Sequence, residues 1–264
     1  MNLRVPVFQL DAFTDRRFAG NPAAVVVLED FFEDSLLQAI AAENNLPETA
    51  FVVPSTGAYR LRWFTPRVEV PLCGHATLAS GAVVLERLEA SRAGVVFDTV
   101  SGPLTVDREG AGYRMELPAR AVRLAARSDA LAVALGVEAV ETTLDSAGNY
   151  IVRLVSAELV RSLEPDIAAI GRLDCTGVIV TAAGDGPYDF VSRYFAPSKG
   201  IPEDPVTGGA HCALVPYWAA RTGKEELFAQ QVSQRGGEIV CRLIGDRVQL
   251  NGSCVFYLEG HIDL

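Results

Sequence analysis

Two short segments concentrate side chains that move protons. Residues 71–77 read PLCGHAT and residues 202–211 read PEDPVTGGAH. Both are rich in glycine and small residues, and both run into an apolar stretch of helical pattern. A helix that begins there leaves its first backbone N–H groups without intrahelical partners and carries partial positive charge, which suits a carboxylate. In the first segment, His75 has an imidazole that titrates near neutrality unless its surroundings shift it. Cys73 has a thiol whose acidity rises beside a helix N-terminus. In the second segment, Asp204 offers a carboxylate that can orient an imidazole or act as a base. The amides of Gly74, Gly208 and Gly209 would cradle a small anion without any Lys or Arg. Plainer roles are also open: a capping residue for His75, a turn or N-cap for Asp204, a small apolar filler for Cys73.

The elements that must position these residues come from a chain that repeats itself. RWFTPRVEVP (62–71) matches RYFAPSKGIP (193–202) without a gap, at an offset of 131 residues (193 − 62). At that offset Cys73 falls on Asp204 and Ala79 on Ala210. Gly20-Asn21 recurs as Gly148-Asn149 at 128 (149 − 21), and GPLTVDREG from Gly102 as GEIVCRLIG from Gly237 at 135 (237 − 102). Three matches in the same order indicate duplication. They predict two related domains, residues 1–118 and 119–264, the last strand able to pack back on the first half. A cleft between such halves is a natural place for a small molecule.

Alternating and β-branched runs predict strands at 3–13, 23–28, 51–54, 59–64, 95–99, 104–107 and 113–117 in the first half. In the second half they fall at 150–155, 178–181, 189–195, 239–243, 247–250 and 254–259. Helical patterns cover 35–43, 77–88, 129–135 and 208–221. Asp129 reads as the N-cap of the third and Gly136 as its C-terminal stop, and Pro216 is expected to kink or end the fourth. Each half is thus a set of short strands around one apolar helix, an α+β arrangement. Glu48, in NNLPETAF (44–51), lies where a helix exits into a strand and reads locally as a solvated turn residue. Asn21, after Gly20, reads as a turn residue.

The charge balance narrows the partners. With 33 acidic and 23 basic residues the 264-residue chain has a net charge of −10. No basic cluster offers a site for nucleic acid or an anionic membrane surface. A small anionic metabolite remains, because backbone amides can attract it where side chains do not. The longest apolar runs, such as residues 23–28, fall far short of the roughly 20 residues needed to cross a bilayer. The first residues show no charged segment followed by an apolar run, so a cytoplasmic protein is expected. Its five cysteines, Cys73, Cys175, Cys212, Cys241 and Cys254, form no C-x-x-C pair and are expected to be reduced thiols. The three histidines form no H-E-x-x-H motif, so no metal site is expected.

Taken together, DAFTDRRFAGNPAAVVVL (11–28), NLPETAFV (45–52), RWFTPRVEVPLCGHATLASGAVVL (62–85), EDPVTGGAH (203–211) and SQRGGEIV (233–240) resemble the phenazine-biosynthesis isomerase (PhzF-like) family. The resemblance implies a diaminopimelate-epimerase-like fold: two pseudo-symmetric domains from an internal duplication, each a β-barrel-like sheet around a central helix. It implies cofactor-independent proton transfer between carbons, as in the isomerisation of a cyclohexadiene amino acid by the family's best-known member. By the same resemblance the catalytic glutamate falls on Glu48, its histidine on His75 and the aspartate on Asp204. Asn21, Cys73, Gly74, Gly208 and Gly209 then surround the substrate, and a homodimer and a biosynthetic role are implied. One position departs: the family's usual T-G-S-A-H here carries Gly209 in place of the serine. The alternatives are a cysteine-assisted epimerase or racemase using Cys73, and a non-catalytic metabolite-binding protein of the same fold. A two-thiol racemase fits poorly, since Asp204 and not a second cysteine stands at the repeated position.

Overall fold

The computed structural model of the protein describes residues 3–126 and 128–264. It divides into two units, Met1–Glu116 with Leu250–Leu264, and Leu117–Gln249. The first contains β1 (Arg4–Ala12), β2 (Asn21–Val27), α1 (Asp34–Asn44), β3 (Glu48–Ser55), β4 (Ala58–Phe64), β5 (Glu69–Val70), α2 (Gly74–Val83), β6 (Gly94–Thr99), β7 (Gly102–Glu109) and β8 (Gly112–Pro118). A single π turn, Val84–Leu88, prolongs α2. The second contains β9 (Val122–Leu124), α3 (Asp129–Leu135), β10 (Glu141–Asp145), β11 (Asn149–Arg153), α4 (Ala157–Arg161), α5 (Ile167–Ile170), β12 (Gly177–Ala183) and β13 (Phe190–Ala196). It continues through β14 (Ile201–Asp204), α6 (Gly208–Thr222), β15 (Glu226–Gln231) and β16 (Gly237–Ile244). β17 (Arg247–Gly252) includes the residues where the chain returns to the first unit, which β18 (Cys254–Asp263) completes.

The two units follow one plan. In the first, β18–β1 and β1–β2 pair antiparallel, β2–β3 parallel, β3–β4 antiparallel, β4–β6 parallel and β6–β7 antiparallel. In the second, the same directions recur in β9–β10, β10–β11, β11–β12, β12–β13, β13–β15 and β15–β16. A short antiparallel strand, β5 or β14, folds onto the end of β4 or β13. Each parallel step needs a crossover. α1 and the α4–α5 pair supply the first in each unit, and α2 and α6 supply the second.

All ten residues of α2 are buried, against β1, β2, β3 and β7. Gly81 permits this closeness: a Cβ there would lie 2.4 Å from Val106 Cγ1 on β7. α6 also runs buried for most of its length, and Pro216 neither ends it nor breaks it into separate helices. Proline removes the N–H that would bond the Cys212 carbonyl. The Arg120 backbone N–H donates to that carbonyl instead, at 2.8 Å. The helix runs on to Gly223 in the left-handed conformation. α3 is capped by Ser128 and not by Asp129: Ser128 is extended, and its hydroxyl accepts from the Leu131 N–H. Asp129 is the first helical residue.

Strand pairing corrects the register of the repeat. Val70 pairs with Trp63, and Asp204 pairs with Tyr194. Trp63 and Tyr194 are equivalent, so Asp204 corresponds to Val70 and not to Cys73. The second unit has three more residues here, (204 − 194) − (70 − 63), accommodated around the 3-10 turn Pro197–Lys199. The helix starts then align Cys73 with Thr207, Gly74 with Gly208 and His75 with Gly209. Among the described residues no helix is long and apolar enough to cross a membrane.

Candidate active site

In the first unit, Asn21 opens β2, Glu48 opens β3 and His75 is the second residue of α2. Gly20 has a φ of +64°, and a Cβ there would lie 2.2 Å from the Ala12 carbonyl oxygen, so only glycine makes the turn that delivers Asn21. All three side chains are buried, Glu48 at 7% exposure and His75 at 3%. The burial of Glu48 corrects its reading as a solvated turn residue. Parallel pairing with β2 sets Glu48 beside Ala23 and starts the strand three residues before its apolar pattern does.

His75 is the centre of this group. Asn21 Nδ2 stands 3.1 Å from its Nδ1, and Cys73 Sγ stands 3.5 Å from the same nitrogen. Its Nε2 lies 3.2 Å from Glu48 Oε2. Burial drives the imidazole down to about 3, opposed by a hydrogen bond to the Pro22 carbonyl. The ring is therefore neutral at pH 7, and its approach to Glu48 is not a salt bridge. Nor is that approach an aligned hydrogen bond. Two proton-handling atoms lie side by side without being locked to one another.

Cys73 is the N-cap of α2, and its side chain makes no cap bond. Among the described residues, Glu48, Cys73 and His75 form a group whose metal-ligating atoms lie within 4.8 Å of one another. The thiol approaches Nδ1 and the carboxylate approaches Nε2, at different corners of one ring. An ion seated on either nitrogen would have to draw the other ligand around the imidazole.

In the second unit, Asp204 ends β14 and is buried. Thr207 is the N-cap of α6, again without a side-chain cap bond. Its hydroxyl donates instead to Asp204 Oδ2 at 2.5 Å. Gly208 is buried and Gly209 half-buried in the first turn of α6. A Cβ on Gly209 would meet nothing closer than the Arg120 guanidinium at 3.7 Å, so space does not demand glycine here. Arg120 donates to the Gly209 carbonyl at 2.9 Å. Cys212 is buried, and burial pushes its thiol up to about 11, which makes it a poor nucleophile.

The equivalent of Glu48 in the second unit is Gly177, since Thr49 pairs with Phe64 as Val178 pairs with Phe195. A side chain there would force Tyr194 to move, since a Cβ would lie 2.6 Å from its hydroxyl. The motifs also pass over Gln231, which holds both Asp204 and Thr207. Its signal was available in ELFAQQ, where alternation turns Leu227, Ala229 and Gln231 inward and so makes one inward residue polar.

The PhzC-PhzF family, described as phenazine biosynthesis-like protein, matches residues 10–260. The chain is 46% identical over 262 residues to an uncharacterized isomerase of Pseudomonas aeruginosa, covering 99% of this chain and all of that protein. It is similar to the crystal structure of a PhzF-family phenazine biosynthesis protein from Enterococcus faecalis, with a TM-score of 0.95 and 40% identity over 99% of this chain and 100% of that one. A hydroxyproline epimerase from Agrobacterium vitis, with bound trans-4-hydroxy-L-proline, shares the fold alone, with a TM-score of 0.66 and 10% identity over 99% of this chain and 91% of that one. With a match spanning nearly every residue, the chain belongs to the PhzC-PhzF family of phenazine biosynthesis-like proteins and is an isomerase of that family.

Proposed function

We propose that the protein moves a proton between carbons of a small carboxylate-bearing metabolite without a cofactor, with Glu48 as general acid–base. The observation that carries this reading is the 3.2 Å approach of the buried Glu48 carboxylate to a neutral, buried His75. A buried carboxylate can take a proton from an acidified C–H, exchange it with solvent and return a proton at another carbon. A neutral imidazole can accept at one nitrogen while donating at the other, and Asn21 steadies it. Asp204 is the second proposed acid–base group. The N-cap side chains of Cys73 and Thr207 make no cap bonds, so the first N–H groups of α2 and of α6 are each proposed as donors to a carboxylate. The proposal includes a cytoplasmic, biosynthetic role and a homodimer, and light scattering on the purified 28.3 kDa chain measures the last.

The test is deuterium incorporation followed by NMR in heavy water, with a cyclohexadiene amino acid and trans-4-hydroxy-L-proline as probes. Deuterium should enter a probe at a single carbon, and Glu48→Gln should slow that entry by about 100-fold or more. Full activity in Glu48→Gln would refute the assignment. A second reading, a thiol-assisted epimerase, draws on the 3.5 Å separation of Cys73 Sγ from His75 Nδ1. It requires Cys73→Ser to abolish turnover.

A further inference from the structure

The hydrogen bonds around Asp204 have a polarity set by a residue outside the motifs. Gln231, at the end of β15, is fully buried. Its Oε1 accepts from the Thr207 backbone N–H at 2.8 Å. Its Nε2 donates to the Asp204 backbone carbonyl at 2.7 Å and to Thr207 Oγ1 at 3.1 Å. The two ends of the amide cannot be exchanged, because a backbone N–H only donates and a backbone carbonyl only accepts. Nε2 therefore also donates to Thr207 Oγ1, and the hydroxyl's one proton is turned away from Gln231. It is directed to Asp204 Oδ2, 2.5 Å away. This direction also accounts for the missing cap bond of α6, since a hydroxyl engaged in this way is not aimed at the first helical N–H groups.

We propose that Gln231 is a positioning residue that makes the Thr207 hydroxyl an obligatory donor to Asp204, holding that carboxylate as an ionised acceptor in one orientation. Its catalytic meaning rests on the reading of Asp204 as an acid–base group; the hydrogen-bond polarity does not. A hydrogen bond donated to a carboxylate favours its charged form. The alternative is that Gln231 only fastens β15 to the turn before α6. That would affect stability but not the protonation of Asp204.

Several titratable groups lie near Asp204. Tyr194, its partner on β13, is raised chiefly by burial and feels the charges of Asp204, Arg120 and Asp145. Glu203, the preceding residue, is paired with Arg193 at 2.7 Å. His211, on α6, is bonded to the Thr207 carbonyl at 2.8 Å and is driven by burial down to about 4.

The experiment titrates the full-length protein labelled at aspartate carboxyl carbons, from about pH 7 down to the lowest pH at which circular dichroism shows it folded. The Asp204 signal is assigned by its loss in Asp204→Asn, and the His211 ring is followed separately in the same samples. The Asp204 midpoint should rise in Thr207→Val and in Gln231→Ala, and it should return to the wild-type value in Thr207→Ser. Midpoints that stay unchanged in folded variants would overturn the proposal, leaving Gln231 a structural tie. Should Gln231→Ala not fold, the comparison of Thr207→Val with Thr207→Ser decides it. Deuterium incorporation that is unaffected by Asp204→Asn would refute the catalytic reading of Asp204. The titration outcome would stand apart from that result.

Discussion

Lowering the pH from 7 to 5 should destabilise the protein through two imidazoles that fold uncharged. His75 and His211 are both buried, and desolvation is the main cause that takes them to about 3 and about 4. In the unfolded chain each gains a proton below about pH 6.5. Between the folded and unfolded values the unfolded state holds protons that the folded state refuses, so stability falls as the pH falls. At pH 5, about 1.5 pH units below the unfolded value, this amounts to about 2 kcal/mol for each histidine and about 4 kcal/mol for both. That is a large part of an ordinary domain's roughly 5–15 kcal/mol. The window above pH 5 isolates the histidines. Carboxylates held low by arginine, such as Asp30 beside Arg60 and Asp185 beside Arg161, lose their contribution only as the pH falls through the lower carboxylate range.

Urea unfolding of the wild type and of His211→Phe at about pH 7, 6 and 5 measures this. His211 packs against Phe190 at 5.8 Å between ring centroids, and its Nε2 has no hydrogen-bond partner, so phenylalanine can occupy the space. The variant loses the Nδ1 bond to the Thr207 carbonyl at every pH, which lowers its baseline but not its slope. It should lose about 2 kcal/mol between pH 7 and pH 5, where the wild type loses about 4. Equal losses in the two proteins, or a flat wild-type profile, would show that these rings are not held neutral by burial.

Three substitutions probe the rest. Gly81→Ala should cost about 1–3 kcal/mol by thermal or urea unfolding, because its Cβ would press on Val106, and adding Val106→Ala should recover part of the loss. Gly209→Ser should fold with stability within about 0.5 kcal/mol of wild type, since nothing lies closer than 3.7 Å, and should alter the relative rates of deuterium incorporation among probes. Cys73→Ser should retain deuterium incorporation within about tenfold if Glu48 does the chemistry. It should also gain up to about 1 kcal/mol, because serine can supply the cap bond that α2 lacks.

The strongest features were legible because they follow from periodicity. The apolar helices α2 and α6 and the strands β4 and β13 lie within a few residues of where patterning puts them. The short strands β9 and β14 escaped notice, having too few residues to show a period. β15 escaped because Glu-Leu-Phe-Ala-Gln-Gln has no β-branched residue; its pairing with β13 and β16 makes it a strand. The burial of Glu48 was illegible for a related reason, since it depends on a neighbour 25 residues away (48 − 23) in β2. The gapless repeat misled at one point. Pro71 and Pro202 match by coincidence, and three added residues around Pro197–Lys199 shift the true correspondence.

That shift matters for the chemistry. Duplication would have begun with two equivalent units, and what both retain is a helix start whose N-cap side chain makes no cap bond. The proton-handling groups are not equivalent. The first unit has Glu48 on β3 and His75 on α2, where the second has Gly177 and Gly209. Tyr194 fills the space that a side chain on Gly177 would need, so a copy of Glu48 there would have to displace its ring. Asp204 occupies the place of Val70, at a strand end, and takes its orientation from Thr207. Cys73 corresponds to Thr207, and the thiol on α6, that of Cys212, is buried and weakly acidic. A racemase built on two like groups would require the symmetry that these positions have lost. The duplication has left each unit with its own set of proton-handling groups, a glutamate beside an imidazole in the first and an aspartate beside a hydroxyl in the second.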